Sequence, residues 1–134
     1  MPSIDCLPHQ PPMRLLEVIV DVVPGERAVG RRVTNAGDFY FQGHFPGSPV
    51  VPAIILIEML AQTGGVAAAE GDTETRQLRV AAVDGFKFPD AAGPGQTLEA
   101  KARVVRRLGR LCKIDGEVTA DGRLVASGSL TLAG

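Results

Sequence analysis

The chain has 134 residues, 45% of them apolar, and a formal net charge of −1. This length and composition predict one domain, residues 1–134, with a buried core. The balanced charge excludes a general attraction to nucleic acid, and five Phe, one Tyr and no Trp are too few for base-stacking surfaces. The two Cys and two His lack the spacing of a zinc site, so no metal is expected.

The N-terminal segment MPSIDCLPHQPP predicts an irregular arm over residues 1–12. It has an early acid and several prolines, and it lacks the basic segment and apolar run of a signal peptide. The most apolar stretch, residues 50–69, is interrupted by Pro52, Glu58 and Gln62, so we do not expect it to span a membrane. The sequence therefore predicts a cytoplasmic protein.

Two β-strands are predicted after the arm. Residues 14–23, RLLEVIVDVV, are rich in β-branched side chains, and Pro24-Gly25 provides a turn before a second strand at residues 28–34. Residues 35–49 are dense in glycine and proline, which predicts a loop.

One long helix is predicted from Ala53 to about Glu70. Pro52 suits the first helical position because its missing N–H has no helical partner there. The segment is apolar on almost every side, which is typical of a helix enclosed by protein. Within it, Gly64-Gly65 predicts close packing against a sheet.

The C-terminal half predicts strands. Residues 78–88 form one, and apolar and polar side chains then alternate over residues 98–104, 112–120 and 124–132. Asp121-Gly122 is typical of a two-residue hairpin, and a turn is expected near Leu108-Gly109.

These elements predict an α+β fold in which about five or six antiparallel strands curl around one buried helix. A small sheet of this kind leaves strand edges and apolar surface uncovered. We therefore expect a homodimer in which two sheets continue edge to edge.

The segment FQGHFPGSPVVPAIILIE, residues 41–58, contains the most informative chemistry. A carboxylate among apolar helix residues is costly unless it has a partner or a function, and histidine exchanges its proton near neutral pH. His44 and Glu58 therefore predict proton transfer on an apolar substrate, with burial keeping Glu58 protonated. The alternatives are a structural role for His44 and neutralisation of Arg14 by Glu58. His9 is interpreted as an anchor of the arm.

The motif GHFPGSPVVPAIILIEMLAQ, residues 43–62, resembles the β-hydroxyacyl-acyl-carrier-protein dehydratases of type II fatty acid synthesis. The resemblance extends to the arm, LPHQPPMRLLEVI, and to the closing DGRLVASGSLTL. It favours the long-helix, glutamate-type enzymes and implies a hotdog fold. It also implies loss of water from (3R)-3-hydroxyacyl thioesters of acyl carrier protein to give trans-2-enoyl thioesters, without a metal or organic cofactor.

The resemblance further implies a role for each matching residue. His44 would handle the proton on the α-carbon, and Glu58 would protonate the departing 3-hydroxyl. The backbone N–H of Ala53 would donate to the thioester carbonyl. The Val50 carbonyl would orient His44, and Gln62 would hydrogen-bond Glu58. In this family the histidine and the acid of one site come from two subunits, either of a dimer or of a trimer of dimers.

One departure from the family leaves alternatives open. Many relatives have Met-Pro-Gly where this chain has Val51-Pro52-Ala53, and the Ala53 methyl would crowd a thioester while retaining the N–H. This favours, as an alternative, a non-catalytic acyl-binding or assembly subunit. An acyl thioesterase on the same fold is a second alternative. Chain length and pathway are not defined by the sequence.

Residues 101–113 form a basic segment without an acid. Its positive residues are Lys101, Arg103, Arg106, Arg107, Arg110 and Lys113. A solvated hairpin explains them. The functional alternative is a docking surface for an acidic carrier protein or its phosphate.

Overall fold

In the computed structural model, residues 4–69 and 78–134 are described. Within them, one α-helix packs on a six-stranded antiparallel sheet with the strand order β1-β2-β4-β5-β6-β3. The elements are β1 (Val18–Val23), β2 (Arg27–Val33), α1 (Ala53–Ala68), β3 (Arg79–Lys87), β4 (Thr97–Leu108), β5 (Leu111–Ala120) and β6 (Arg123–Ala133), with short 3-10 turns at Ile4–Cys6 and Phe39–Phe41. This is the predicted α+β architecture, and α1 packs mainly on β4, β2, β5 and β6.

The first strand begins later than predicted. β1 starts at Val18 rather than at residue 14, because the backbone at Met13 and Leu15 is bonded to the helix. Bonding to β2 begins only at Glu17, whose N–H donates to the Arg31 carbonyl. The Gln62 side chain accepts the Leu15 N–H and donates to the Met13 carbonyl. Leu15 and Leu16 are both buried in the core.

Helix α1 has 16 residues, with Pro52 just outside it as the N-cap residue. Glu70, the predicted end, lies outside the described residues. The helix is enclosed from Met59 onward, as predicted, but its first turn is not, since Ile54 is 73% exposed. A Cβ on Gly64 would lie 3.1 Å from Ile114 side-chain atoms, which confirms close packing there, whereas one on Gly65 would meet nothing within 4 Å.

Both predicted hairpins form in the C-terminal half. Asp121 and Gly122 connect β5 to β6 with positive φ angles of 48° and 86°, as a two-residue turn of this kind requires. Gly109, with φ of 60°, turns β4 into β5 together with Arg110. In the part of the chain that the structure describes, no helix combines the length and the apolarity needed to cross a membrane.

Candidate active site

A tight loop presents His44. Gly43 and Gly47 have φ angles of 77° and 75°, a conformation that favours glycine. Between them, Phe45 and Ser48 exchange backbone hydrogen bonds of 3.2 and 2.9 Å, so the GHFPGS sequence closes into a compact turn. The loop is largely exposed, and the Phe45 side chain remains 55% exposed.

The His44 ring is held by a backbone carbonyl and by the ring of Phe45. Its Nδ1 lies 3.0 Å from the Val50 carbonyl oxygen, and the Val50 N–H donates to the His44 carbonyl at 2.9 Å. The ring stacks on Phe45 with centroids 4.1 Å apart. A carbonyl only accepts, so Nδ1 carries the hydrogen, and in the neutral imidazole Nε2 keeps a lone pair that can take a proton.

Glu58 lies one helical turn before Gln62, whose amide is fully engaged. Gln62 Nε2 donates to Glu58 Oε2 at 2.9 Å and to the Met13 carbonyl at 2.7 Å, while its Oε1 accepts the Leu15 N–H at 3.0 Å. Gln62 is only 1% exposed. These bonds fix the orientation of the amide, so it always presents a donor to Glu58.

Glu58 has a second neighbour that was not predicted from the sequence. His9 Nε2 lies 3.5 Å from Glu58 Oε2, and the Glu58 side chain is 28% exposed. The alternative pairing of Glu58 with Arg14 is wrong, because Arg14 donates to Asp5 at 3.3 Å. No spacing rule relates residue 9 to residue 58, and only the folding of the arm onto α1 brings them together.

The start of α1 offers a backbone donor. Ile55 and Leu56 both direct their N–H groups to the Pro52 carbonyl. Ala53 is exposed, and its N–H donates to no acceptor among the described residues. The N-terminal amides of a helix lack intrahelical acceptors and carry the positive end of the helix dipole, so this N–H can stabilise a developing oxyanion.

A polar cluster supports the segment that leads to the His44 loop. Arg32 Nη2 donates to Asp38 Oδ1 at 2.7 Å, and the Tyr40 hydroxyl donates to Asp38 Oδ2 at 2.7 Å. Burial opposes ionisation of Asp38, but the hydrogen bonds from Arg32, the Asn35 backbone and Tyr40 outweigh it and lower the pKa of Asp38. Burial, and then the bond to Asp38, raise the pKa of Tyr40.

Replacing Asp38 with Asn is expected to lower the free energy of unfolding at pH 7 by about 1–3 kcal/mol, because Arg32 and Tyr40 lose their charged acceptor. The pKa of Asp38 is lowered by folding, so its stabilisation is complete above the ordinary pKa of about 4 and is lost as the pH falls through the lowered value. Urea unfolding at several pH values measures this. Asp21→Asn, at an exposed pair, is the control and should have little effect. A cost for Asp38→Asn that does not change with acidity would contradict the expectation.

Two separate clusters thus contain the predicted site residues. His44 lies with Val50, and Glu58 lies with Gln62 and His9. No hydrogen bond or ion pair of the described residues joins His44 to Glu58. Among residues 4–69 and 78–134, no group of three or more His, Cys, Asp or Glu side chains could hold a metal ion. An open cavity of about 540 Å³ between the arm and β2 includes none of the predicted site residues.

Comparison with known proteins identifies the family. The sequence model of the FabA-like domain matches residues 7–129. The chain belongs to the FabA-like family. Its relatives include the 3-hydroxyacyl-[acyl-carrier-protein] dehydratase FabZ of Roseiflexus sp. (strain RS-1), 38% identical over 95% of this chain and 90% of the relative. The FabZ of Lactococcus lactis subsp. cremoris (strain MG1363) is 34% identical over 97% and 90%.

The FabA-like assignment agrees with the three-dimensional structure. The dehydratase heterocomplex ApeI:P from Xenorhabdus doucetiae is similar to the chain with a TM-score of 0.82 and 19% identity, over 99% of this chain and 91% of that one. The predicted hotdog fold and the predicted family are both confirmed.

Proposed function

We propose that this protein is a cytoplasmic 3-hydroxyacyl-[acyl-carrier-protein] dehydratase that converts (3R)-3-hydroxyacyl thioesters into trans-2-enoyl thioesters. The main observation behind this proposal is the contact between His44 Nδ1 and the Val50 carbonyl oxygen, which leaves Nε2 free to act as a base. Gln62, which hydrogen-bonds the Glu58 carboxyl, supports the same reaction, and so does the similarity to 3-hydroxyacyl-[acyl-carrier-protein] dehydratases.

In the proposed reaction, His44 Nε2 takes the proton from the α-carbon. The electrons of that C–H bond form the double bond between the α- and β-carbons as the bond from the β-carbon to oxygen breaks. Glu58 donates its proton to the departing hydroxyl, which leaves as water. The Ala53 N–H donates to the thioester oxygen, where negative charge develops. The proton on His44 must then return to Glu58 before the next turnover.

The site is completed by a second copy of the chain in this proposal. Ile54 on the first turn of α1, Phe45 in the loop and Val83 on β3 are 73%, 55% and 49% exposed. β3 is an edge strand that is exposed along nearly its whole length. Pairing two β3 edges would cover this apolar surface and bring His44 of one subunit to Glu58 of the other. Association of three such dimers is a further expectation.

Hydration of trans-2-enoyl thioesters, followed by the loss of their ultraviolet absorbance, tests the proposal. The wild-type protein should hydrate at least one acyl chain length in a series. Release of free thiol would instead indicate a thioesterase, and binding without turnover would indicate an acyl-binding subunit. Either result would contradict the dehydratase function.

We further propose that the β4–β5 hairpin contacts the carrier protein. Lys101 and Arg103 lie 4.0 and 3.8 Å from acidic groups, and Arg107 donates to the Ala68 carbonyl. Arg106, Arg110 and Lys113 are exposed and have no ion-pair partner among the described residues. They are therefore the positive charges available to an acidic partner.

Reversing two of these three charges, Arg106→Glu with Arg110→Glu, is expected to lower kcat/KM for carrier-protein substrates about tenfold or more, because attraction between the partners is weakened. Turnover of an N-acetylcysteamine thioester, which has neither protein nor phosphate, should not change. Steady-state kinetics with both substrates makes the comparison. Equal losses on the two substrates would rule out docking at this hairpin.

A further inference from the structure

We propose that His9 is a positioning residue for the acid of the site. Its Nε2–H supplies Glu58 Oε2 with a second donor, beside that of Gln62, and leaves Oε1 as the oxygen that transfers the proton. This inference rests on the proposed dehydratase function. In this inference the arm does more than anchor the chain, because His9 determines which oxygen of Glu58 carries the transferred proton.

The first argument concerns the His9 tautomer. Nδ1 is buried and has no hydrogen-bond partner in the described part of the chain, while Nε2 faces a carboxylate oxygen at 3.5 Å. With hydrogen on Nδ1, His9 would bury an unpaired donor and turn its Nε2 lone pair toward Glu58 Oε2, an oxygen that already accepts from Gln62. With hydrogen on Nε2, the donor faces an acceptor and only a lone pair stays unpaired. The second arrangement has the lower free energy.

The second argument concerns the two oxygens of Glu58. Gln62 Nε2, at 2.9 Å, and His9 Nε2, at 3.5 Å, both approach Oε2. In a protonated carboxyl the oxygen without hydrogen is the better acceptor, so two donors at Oε2 place the acidic hydrogen on Oε1. That hydrogen is the one delivered to the leaving hydroxyl.

The distance also has a consequence for the cycle. At 3.5 Å the His9 contact is longer than an ordinary N–H···O hydrogen bond. Catalytic hydrogen bonds are often long before substrate binds and shorten as charge develops. Glu58 becomes negative when it gives up its proton, so the His9 donor stabilises Glu58 most at that stage.

A purely structural role for His9 makes different predictions. As an anchor, His9 would act like the Arg14–Asp5 pair, which also ties the arm at 3.3 Å and does not touch Glu58. Loosening an anchor lowers the melting temperature of the protein. Removing a donor from the acid lowers kcat at saturating substrate, because the loss falls on the chemical step.

Kinetics with His9 variants separates these roles. His9→Phe keeps a planar ring without a donor and should lower kcat about 10- to 100-fold with little change in KM. His9→Gln, whose amide nitrogen can reach the position of Nε2, should recover most of that loss. Arg14→Gln, the matched control on the arm, should keep the wild-type kcat even where its melting temperature falls.

The tautomer of His9 can be read directly from ¹⁵N-labelled wild-type protein. Long-range ¹H–¹⁵N correlation at neutral pH should show hydrogen on Nε2 and a bare Nδ1. Hydrogen on Nδ1 would overturn the inference whether or not the protein is active, and this measurement requires no variant to fold.

The outcomes distinguish the inference from the function on which it rests. If the wild type turns over and His9→Phe has the wild-type kcat, the positioning role is overturned and the dehydratase proposal stands. If His9→Phe and Arg14→Gln lose equal activity, His9 is an anchor only. If the wild type hydrates no enoyl thioester, the function fails and the positioning role fails with it.

Discussion

Replacing His44 with Ala is expected to abolish nearly all turnover, with kcat falling at least about 10³-fold, because no other group in the His44 loop can take the α-proton. Glu58→Gln should cause a comparable loss. Its amide keeps the shape of the carboxyl and can accept from Gln62 as before, but it has no acidic proton to give. Both effects should appear in kcat rather than in KM, since each interaction belongs to the transition state.

The hydration assay measures both variants beside the wild type, at an acyl chain length on which the wild type is active. Melting temperatures close to the wild-type value show that the loss is chemical, and Asp21→Asn at an exposed pair is a control for surface substitution. Substantial activity in His44→Ala would contradict the role of His44 as base. Substantial activity in Glu58→Gln would contradict the role of Glu58 as acid.

Dimers that combine one His44→Ala chain with one Glu58→Gln chain should recover about half of the wild-type activity, although each variant alone is inactive. If each site takes His44 from one subunit and Glu58 from the other, one of the two sites in a mixed dimer loses both groups. The other site retains both. Within one chain, His44 and Glu58 belong to separate hydrogen-bonded clusters.

Co-expression with two different affinity tags yields the mixed dimers, and tandem purification removes dimers of a single variant. The matched control pairs a His44→Ala chain with a chain that carries both substitutions, and it should remain inactive because neither site then has both groups. A mixed dimer that forms but shows no recovery would indicate that both groups act within one chain.

The fold was predictable because its helix and most of its strands have a local pattern of apolar, polar and turn residues in the sequence. Alternating side chains marked the long strands, and Asp121-Gly122 marked the hairpin that joins the last two. The most apolar stretch of the chain, residues 50–69, indicated α1. Such signals depend on neighbours in the chain, so they identify elements well even where the boundaries shift by a few residues.

The start of β1 and the surroundings of Glu58 were not predictable in the same way. Residues 14–17 have the composition of a strand, but Gln62 bonds the Leu15 N–H, and pairing with β2 begins only at Glu17. Met13 and Leu15, like His9, are distant in sequence from the helix residues that they contact. The sequence predicted the contacts of His44 with the Val50 carbonyl and of Glu58 with Gln62, and both are present. The approach of His9 to Glu58 was not predictable, because it depends on how the arm folds onto α1.

The three hydrogen bonds of Gln62 have a consequence for anyone who redesigns this protein. The amide is bonded at Met13 and Leu15, directly after the arm, and to the acid at Glu58, so it connects the end of the arm to the acid. Glutamate at position 62 would match the shape of the glutamine, but a carboxylate oxygen would replace the Nε2 donor and would face the oxygens of Met13 and Glu58. A chimera that takes the arm from a homologue should therefore also take the matching acid and glutamine from that homologue.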